Sequence, residues 1–219
     1  MPKFFRTVYS GGTGEITEKK SRFIANAAPV LSEEAAVEFI EKIKKKHWDA
    51  SHNCSAYVIG SHDEIQRCSD DGEPVRTAGR PILDVLLGEQ IHNTVIVVTR
   101  YFGGTLLGTG GLVRAYQSAA KEGLNQSTVI DKYYGLKVKV GTDYNGIGKI
   151  QYISSQSGIT ILQSDYTDTV TLTLLIPEEL YTEFIKKITE ATNGKVLLSQ
   201  EEKVYFANVG GKVELFDTW

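Results

Sequence analysis

The sequence predicts an α+β protein of two domains, covering residues 1–131 and 132–219. Three observations support this prediction. Segments with the alternation typical of strands are interleaved with segments of helical spacing along the chain. The length of 219 residues suits one large or two small domains. Every arginine, histidine and cysteine lies before Asp131, so the two parts differ chemically and a functional site is expected in the first.

The composition is that of an ordinary globular protein. Hydrophobic residues make up 41% of the chain, charged residues 23%, and the formal net charge is −3. No strong field therefore draws the whole molecule toward nucleic acid or membrane, and any anion-binding face must be a local patch. The sequence shows no long apolar stretch and no cleavage-site pattern, so we expect neither a membrane span nor a secretory signal. Two cysteines without such a signal predict a cytoplasmic location.

The first part alternates between strand and helix patterns. Ser32 has the character of a helix N-cap, with two glutamates in the first turn behind it. A nearly continuous β-branched run suits a central strand that is covered on both faces. In chain order, the predicted elements are strand material within 16–30, a helix after Ser32, strands at 54–59 and 64–69, a short helix at 81–87, a strand at 94–99 and a helix at about 111–123.

The second part has a different order of elements. Strand patterns are predicted around 136–140, at 160–165, at 170–176 and at 196–205, and helices follow the first and third of them. Pro177 is a good first-turn residue for the second helix, which Asn193-Gly194 would end. This βαββαβ order in fewer than about 90 residues predicts a ferredoxin-like domain.

The hairpin at 54–69 predicts a candidate catalytic cluster. If residues 60–63 form a four-residue loop, Ile59 faces Glu64 and His52 faces Asp71. The imidazole would then lie beside an acidic turn, where a carboxylate favours the imidazolium form. The alternative is a surface charge pair at an Asp-Gly turn. The catalytic candidates are His52, Asp70, Asp71 and Glu73. The acidic turn could hold a divalent cation, but no ligand spacing predicts a metal site, and no cofactor is predicted.

A glycine-rich turn between the buried strand and the next helix predicts an anion-binding site. Free amides at a helix N-terminus bind phosphate or carboxylate, guanidinium groups add charge, and aromatic faces stack on bases. The alternative is tight turning and close helix–sheet packing. The motif is neither a P-loop nor a dinucleotide-binding fingerprint. The candidate binding residues are Arg22, Arg67, Arg100, Tyr101, Phe102, Gly103, Gly104, Gly108, Gly110, Gly111 and Arg114.

Several of these segments together resemble the YigZ/IMPACT family in its bacterial two-domain form. The segments that carry the resemblance are 18–23, 52–54, 70–74, 77–81 and the run from Gly79 to Gly108. The resemblance implies a first domain similar to domain IV of elongation factor G, a βαβ sandwich, followed by a ferredoxin-like domain similar to its domain V. Eukaryotic members of the family regulate translation initiation, and the usual inference for bacterial members is nucleic-acid or ribosome association.

Three hypotheses about function follow from these patterns. The leading one is a translation-linked protein that binds RNA or the ribosome. A translation-regulatory protein is a possible further partner, and no binding to membranes is expected. The second is an enzyme that holds a nucleotide phosphate and magnesium between the glycine-rich turn and the acidic turn. It is less favoured because the turn has no lysine and no general base is assigned. The third is a protein-interaction module, which a buried pair of Arg100 with the acidic turn would favour. Anion binding requires the arginines to converge near Gly103–Gly111.

Overall fold

The computed structural model describes residues 4–216, which divide into two compact units. Phe5–Asp131 forms the first unit, and Phe4 together with residues 132–216 belongs to the second. Helices and strands occur in both units, so the predicted α+β class is confirmed. No helix within residues 4–216 is long and apolar enough to cross a membrane.

The first unit is built on a five-stranded antiparallel sheet with the order β2-β3-β7-β4-β5. The short strand β6 pairs in parallel with β1, outside this sheet. The elements are β1 (Phe4–Ser10), β2 (Thr13–Glu18), β3 (Ser21–Pro29), α1 (Glu33–Lys46), β4 (His52–Ile59), β5 (Ile65–Ser69), α2 (Gly79–Gly88), β6 (Ile91–His92), β7 (Thr94–Tyr101) and α3 (Thr109–Asn125). Strands β1 and β6 were not predicted.

Helices cover both faces of the five-stranded sheet. Side chains of α2 and α3, including Ile82 and Tyr116, pack with Ile96 and Val98 of β7. On the opposite face, α1 packs against Val95 and Val97. All four of these β7 residues are fully buried, as the β-branched run predicted. Neighbouring residues of β7 therefore point into two different cores.

Helix α1 begins at the predicted residue. The Ser32 hydroxyl accepts a hydrogen bond from the Ala35 amide at 3.2 Å. This caps an amide of the first turn that has no hydrogen-bond partner within the helix. Glutamates occupy the first turn and lysines the last, where each sign of charge favours the helix dipole. The local sequence thus sets where the helix starts and how its charges are arranged.

The hairpin of β4 and β5 has a different register from the predicted one. Ile59 pairs with Ile65 instead of Glu64, so the loop holds one residue more than expected. The Glu64 carboxylate folds back and accepts a hydrogen bond from the His62 amide at 3.0 Å. The extra residue is therefore kept in the loop by a side-chain contact that a simple count of residues does not reveal.

The second unit has the predicted ferredoxin-like topology. Its strands form an antiparallel sheet in the order β9-β10-β8-β11, and β12 pairs with β11. Buried side chains of α4 and α5, such as Ile150 and Phe184, pack with Val138 and Leu172 of the sheet. The elements are β8 (Thr128–Thr142), α4 (Tyr144–Gln156), β9 (Thr160–Tyr166), β10 (Val170–Pro177), α5 (Glu178–Ala191), β11 (Leu197–Val209) and β12 (Lys212–Phe216). Strand β12 was not predicted.

Replacing Ser32 with alanine should lower the free energy of unfolding by about 1 kcal/mol, because the Ala35 amide loses its capping partner. Urea denaturation measures this change. Thr105→Ala, at an exposed position, is the control and should change the free energy by less than about 0.5 kcal/mol. Equal effects of the two substitutions would show that the cap does not stabilise the unit.

Candidate functional site

The segments singled out in the sequence meet in one cleft of the first unit. It lies where β7 ends and where β3 and β4 begin, since Tyr101 pairs with Arg22 and Arg100 pairs with His52. We call it the Arg100 cleft. Its volume is about 550 Å³, and its lining includes His52, Glu73, Pro74, Arg100, Phe102 and Leu112. The cleft therefore combines a charged floor with apolar walls.

The floor of the Arg100 cleft is a buried ion pair. Arg100 Nη1 donates to Glu73 Oε1 at 2.7 Å, and the two side chains are only 7% and 3% exposed. The guanidinium carbon lies 5.5 Å from the centre of the Phe23 ring and 5.4 Å from that of Phe102. The Tyr116 hydroxyl donates to the same Glu73 oxygen at 2.8 Å. A buried charge needs such a partner, so Arg100 does not offer a free cation to solvent.

His52 lies beside the acidic turn, although the register used to predict this was wrong. Its Nδ1 is 2.9 Å from the carbonyl oxygen of Asp71. A carbonyl only accepts, so this nitrogen carries the proton and donates. The other nitrogen, Nε2, lies 3.9 Å from Glu73 Oε1. The imidazole is thus oriented by the turn and lines the cleft.

The two aspartates of the acidic turn are engaged in holding the chain together. The Asp70 carboxylate accepts hydrogen bonds from the amides of Arg76, Ala78 and Gly79 at 2.8, 3.0 and 2.8 Å. The Asp71 carboxylate accepts from Lys44 Nζ at 2.9 Å and from the Asn53 amide at 2.7 Å. Within residues 4–216, no group of three or more His, Cys, Asp and Glu side chains could hold a metal ion. The magnesium hypothesis for this turn therefore lacks free carboxylates.

Opposing effects act on the pKa of the Asp71 carboxyl. Burial raises it, while the hydrogen bonds from Lys44 and the Asn53 amide lower it, and the net pKa lies below the usual value. Nearby, burial raises the pKa of the Cys54 thiol far above its ordinary range. That thiol donates to the Asp70 carbonyl at 3.0 Å. Because the thiolate is the nucleophilic form, Cys54 is a packed structural residue.

The glycine-rich bend has the predicted strand–turn–helix form. A Cβ atom at Gly103 would lie 2.1 Å from the Lys20 carbonyl carbon, so only glycine lets the bend touch the turn between β2 and β3. Gly108, at φ 74°, precedes α3 without a side-chain cap. Gly104 also has a positive φ, and Gly110 and Gly111 lie in the first turn of α3.

The arginines do not converge around this bend. Arg22 and Arg67 lie on the face of the sheet that α1 covers, whereas Arg100 lies on the opposite face and Arg114 on α3. Arg67 contacts Glu33 at 3.5 Å, toward the end of β4 remote from His52. The Arg114 guanidinium folds back toward Gly110 and is exposed. The predicted single arginine face is therefore not observed.

Arg22 has an exposed environment near the end of the sheet. Its guanidinium donates two hydrogen bonds to the Glu15 carboxylate at 2.9 and 3.0 Å. The guanidinium carbon also lies 5.7 Å from the centre of the Tyr101 ring. The Tyr101 hydroxyl donates to Asp49 at 3.1 Å. Arg22 and Tyr101 are thus together, as the candidate site required, but they are on a different face from Arg100.

Sequence reasoning missed a surface that we call the basic edge, formed by Lys19, Lys20, Arg22, Lys42 and Lys46. The first two form the two-residue turn between β2 and β3, and the last two border a cavity next to β3. His47 lies beside this surface, and its pKa is lowered first by burial and then by the cations Lys46 and Arg22, with Asp49 opposing them. The lysine-rich end of α1 was the available signal, but the sequence does not show which lysines face β3.

Comparison with known proteins identifies the class. Residues 19–124 match the model of the Impact N-terminal domain, and residues 140–195 match a domain of unknown function, DUF1949. A protein that joins these two α+β domains is a two-domain IMPACT-type protein. The chain belongs to the IMPACT family, as its motifs indicated.

Individual relatives are similar over most of the chain. "IMPACT family member YvyE" of Bacillus subtilis (strain 168) is 44% identical over 91% of this chain and 92% of its own length. "IMPACT family member YigZ" of Escherichia coli (strain K12) is 39% identical over 84% of this chain and 92% of its own length. A crystal structure of a hypothetical protein is 34% identical, covers 92% of this chain and 99% of its own, and has a TM-score of 0.58.

Replacing Glu73 with alanine should lower the free energy of unfolding by about 3–5 kcal/mol, because it leaves the buried Arg100 guanidinium unpaired. Chemical denaturation measures the loss, and adding Arg100→Met should recover part of it. The control is Glu15→Ala, which breaks the exposed pair with Arg22 and should cost at most about 1 kcal/mol. Similar losses in the two single variants would contradict the structural role of the buried pair.

The Asp71 carboxylate should make stability depend on pH. Its pKa is lowered in the folded state, so the stabilisation is present above the ordinary aspartate value of about 3.9 and is lost as the pH falls through the folded value. Asp71→Asn should therefore be less stable than the parent chain at neutral pH, and the difference should shrink in acid. Urea unfolding at neutral and at acidic pH measures the difference in the free energy of unfolding. The exposed Asp168→Asn is the control. A difference that does not change with pH would rule out this linkage.

Proposed function

We propose that the first unit binds RNA in the context of translation, and that it does so through the basic edge. The supporting observation is that Lys19, Lys20 and Arg22 lie at the turn end of the β2–β3 hairpin, while Lys42 and Lys46 lie on α1 and border a cavity next to the start of β2. Phosphate contacts from exposed lysines and arginines provide most of the sequence-independent affinity for RNA. The proposed anion-binding site is therefore the basic edge and not the Arg100 cleft. Arg22, one of the binding residues predicted from the sequence, belongs to the basic edge.

Arg22 and Arg100 differ in how easily each could exchange its carboxylate partner for a phosphate. The Arg22–Glu15 pair has side chains that are 53% and 44% exposed. Such a pair contributes about 0–1 kcal/mol, so a phosphate could replace Glu15 at little cost. The buried Arg100–Glu73 pair cannot be exchanged in this way without leaving a carboxylate unpaired. Arg22 therefore suits a phosphate contact better than Arg100.

Aromatic side chains beside the basic edge would contact bases. Trp48 follows α1 and is 83% exposed. The half-buried Tyr101 ring is partly covered by Arg22. Stacking of an unpaired base on an exposed aromatic ring is worth about 1–3 kcal/mol and tolerates any base. Trp48 is the residue that we propose for this contact, because Phe102 lines the Arg100 cleft instead.

The link with translation comes from the family. The motifs of this chain resemble those of IMPACT proteins, whose eukaryotic members regulate translation initiation. We therefore propose ribosomal RNA or the ribosome, in the cytoplasm, as the binding partner. The small net charge of −3 does not oppose this, because screening in physiological salt limits each phosphate to nearby charges.

A second candidate function is favoured by the Arg100 cleft. Its buried ion pair leaves no free cation, and the exposed apolar side chains Val75, Phe102 and Leu106 lie on the turns that border it. Exposed apolar side chains around a cleft favour protein contact. A translation-regulatory protein would then bind at this cleft. Leu106→Ser separates the two functions, since it should weaken protein binding and leave RNA affinity unchanged.

Affinity for single-stranded ribosomal RNA fragments should fall as salt rises, with a log–log slope of about −0.7 for each phosphate neutralised. Replacing both Lys42 and Lys46 with glutamine should weaken binding and reduce the size of that slope by about 1.4, if each lysine contacts one phosphate. Fluorescence anisotropy at several salt concentrations measures both quantities.

The matched control for this experiment is Lys45→Gln. Lys45 lies on the same helix and is exposed, but it does not line the cavity that Lys42 and Lys46 border. It should change the slope less than either of those two lysines. Negligible RNA binding at every salt concentration would remove the proposed function, and an equal effect of Lys45 would remove the basic edge as its site.

A further inference from the structure

The two edges of the five-stranded sheet differ in how they are covered. At one edge α3 lies against β2, since a Cβ atom at Gly14 would lie 2.6 Å from the backbone carbonyl carbon of Glu122. At the other edge β5 pairs with β4, and no other strand within residues 4–216 pairs with it. Four of the five residues of β5 are exposed. The outer side of β5 therefore has no partner strand and is a template for strand addition.

Strand β5 also has the regular geometry that strand addition requires. Its pairs with β4, from Ile59–Ile65 to Ser55–Ser69, follow one another without a register shift. The strand contains no proline, and its one charged residue is Arg67. Bulges, prolines and charged side chains are the usual means by which proteins protect an edge strand. The edge of β5 is therefore closed only to strands that cannot balance one guanidinium group.

A groove beside β5 offers an apolar contact to an added strand. We call it the Val37 groove; it has a volume of about 250 Å³ and lies between α1 and the strands β4 and β5. Val37 lines it and is 50% exposed, and Ile40 and Tyr57 lie next to it. Tyr57 belongs to the core under α1 and pairs with Arg67, so the Arg67 side chain projects on the same face as the groove. Every second side chain of an added strand points to this face.

The ion pair at this edge can change its partner. Arg67 Nε lies 3.5 Å from Glu33 Oε1, and the two side chains are 60% and 38% exposed. Such an exposed pair contributes little to stability. The same Glu33 oxygen accepts a hydrogen bond from the Tyr57 hydroxyl at 2.8 Å, and Glu33 lies in the first turn of α1, where the helix dipole stabilises a carboxylate. If Arg67 turns to a carboxylate on an added strand, Glu33 still has a partner.

We propose that β5 binds an extended segment of a partner protein as an additional antiparallel strand. An acidic side chain of that segment lies opposite Arg67, and an apolar side chain two positions away lies in the Val37 groove. Backbone hydrogen bonds supply the affinity, and the two side chains supply the selectivity. A second copy of β5 is disfavoured, because an antiparallel pair centred on Arg67 sets two guanidinium groups opposite each other. This surface shares no residue with the basic edge or the Arg100 cleft, so it is independent of RNA binding.

The experiment adds three acetylated peptides of equal length to the full chain. The first is threonine throughout except for a central glutamate and a valine two positions to each side of it. The second has lysine in place of the glutamate, and the third has proline on both sides of the glutamate and cannot pair as a strand. In an NMR titration, the first peptide should shift the backbone amide resonances of Ile65–Ser69. It should bind about threefold to tenfold more tightly than the second, and the third should cause no shift.

Charge reversal at one position tests the role of the guanidinium. In Arg67→Glu, the lysine peptide should bind more tightly than the glutamate peptide. Arg114→Glu, the same change at an exposed position on α3, is the matched control and should keep the order of the parent chain. An unchanged order in Arg67→Glu would overturn the proposed selectivity.

The parent chain alone keeps the inference falsifiable if a variant does not fold. No shift within Ile65–Ser69 with the glutamate peptide, or equal shifts with the proline peptide, would overturn strand addition. Hydrogen exchange of the same amides should not depend on protein concentration when no peptide is present. Protection that grows with protein concentration would show that a second copy, and not a partner segment, occupies the edge.

Discussion

The buried pair of Arg100 and Glu73 organises the end of the first unit. It joins the C-terminal end of β7 to the acidic turn that follows β5, and the Tyr116 hydroxyl connects the same carboxylate to α3. Three elements that are distant in the chain thus share one oxygen atom, Glu73 Oε1. Because an unpaired charge in this interior is costly, each of these groups depends on the other two. The Arg100 cleft has its shape because they stay together.

This pairing divides the charged residues of the unit into two groups. Asp70, Asp71 and Glu73 accept hydrogen bonds from the protein itself, so the carboxylates of the acidic turn are largely occupied by contacts within the unit. The lysines at 19, 20, 42 and 46 are exposed or border a cavity. The whole chain is slightly negative, but a phosphate at the basic edge responds mainly to the charges near it, because charges more than about 8 Å away are screened.

The sequence correctly predicted the features that depend on residues close together in the chain. The β-branched run predicted β7 with both faces covered, Ser32 predicted the start of α1, and the order of elements predicted the ferredoxin-like unit. The hairpin register failed because the Glu64 side chain holds an extra residue in the loop. The sequence offered a buried pair of Arg100 with the acidic turn only as one alternative, because the burial of Arg100 depends on which face of β7 meets α3. The facing of Lys42 and Lys46 toward β3 likewise depends on how α1 packs.

The same limits explain why motif residues and binding residues need not coincide. The motifs that carry the family resemblance gather at the Arg100 cleft, where His52, Asp71 and Glu73 bond mainly to the protein itself. Residues that bond to buried groups of the protein must keep their chemical type, because each substitution leaves a buried partner without a hydrogen bond. Exposed lysines on α1 have no such constraint and form no recognisable motif. A surface for a polyanion can therefore lie outside a motif-rich cleft without sharing its residues.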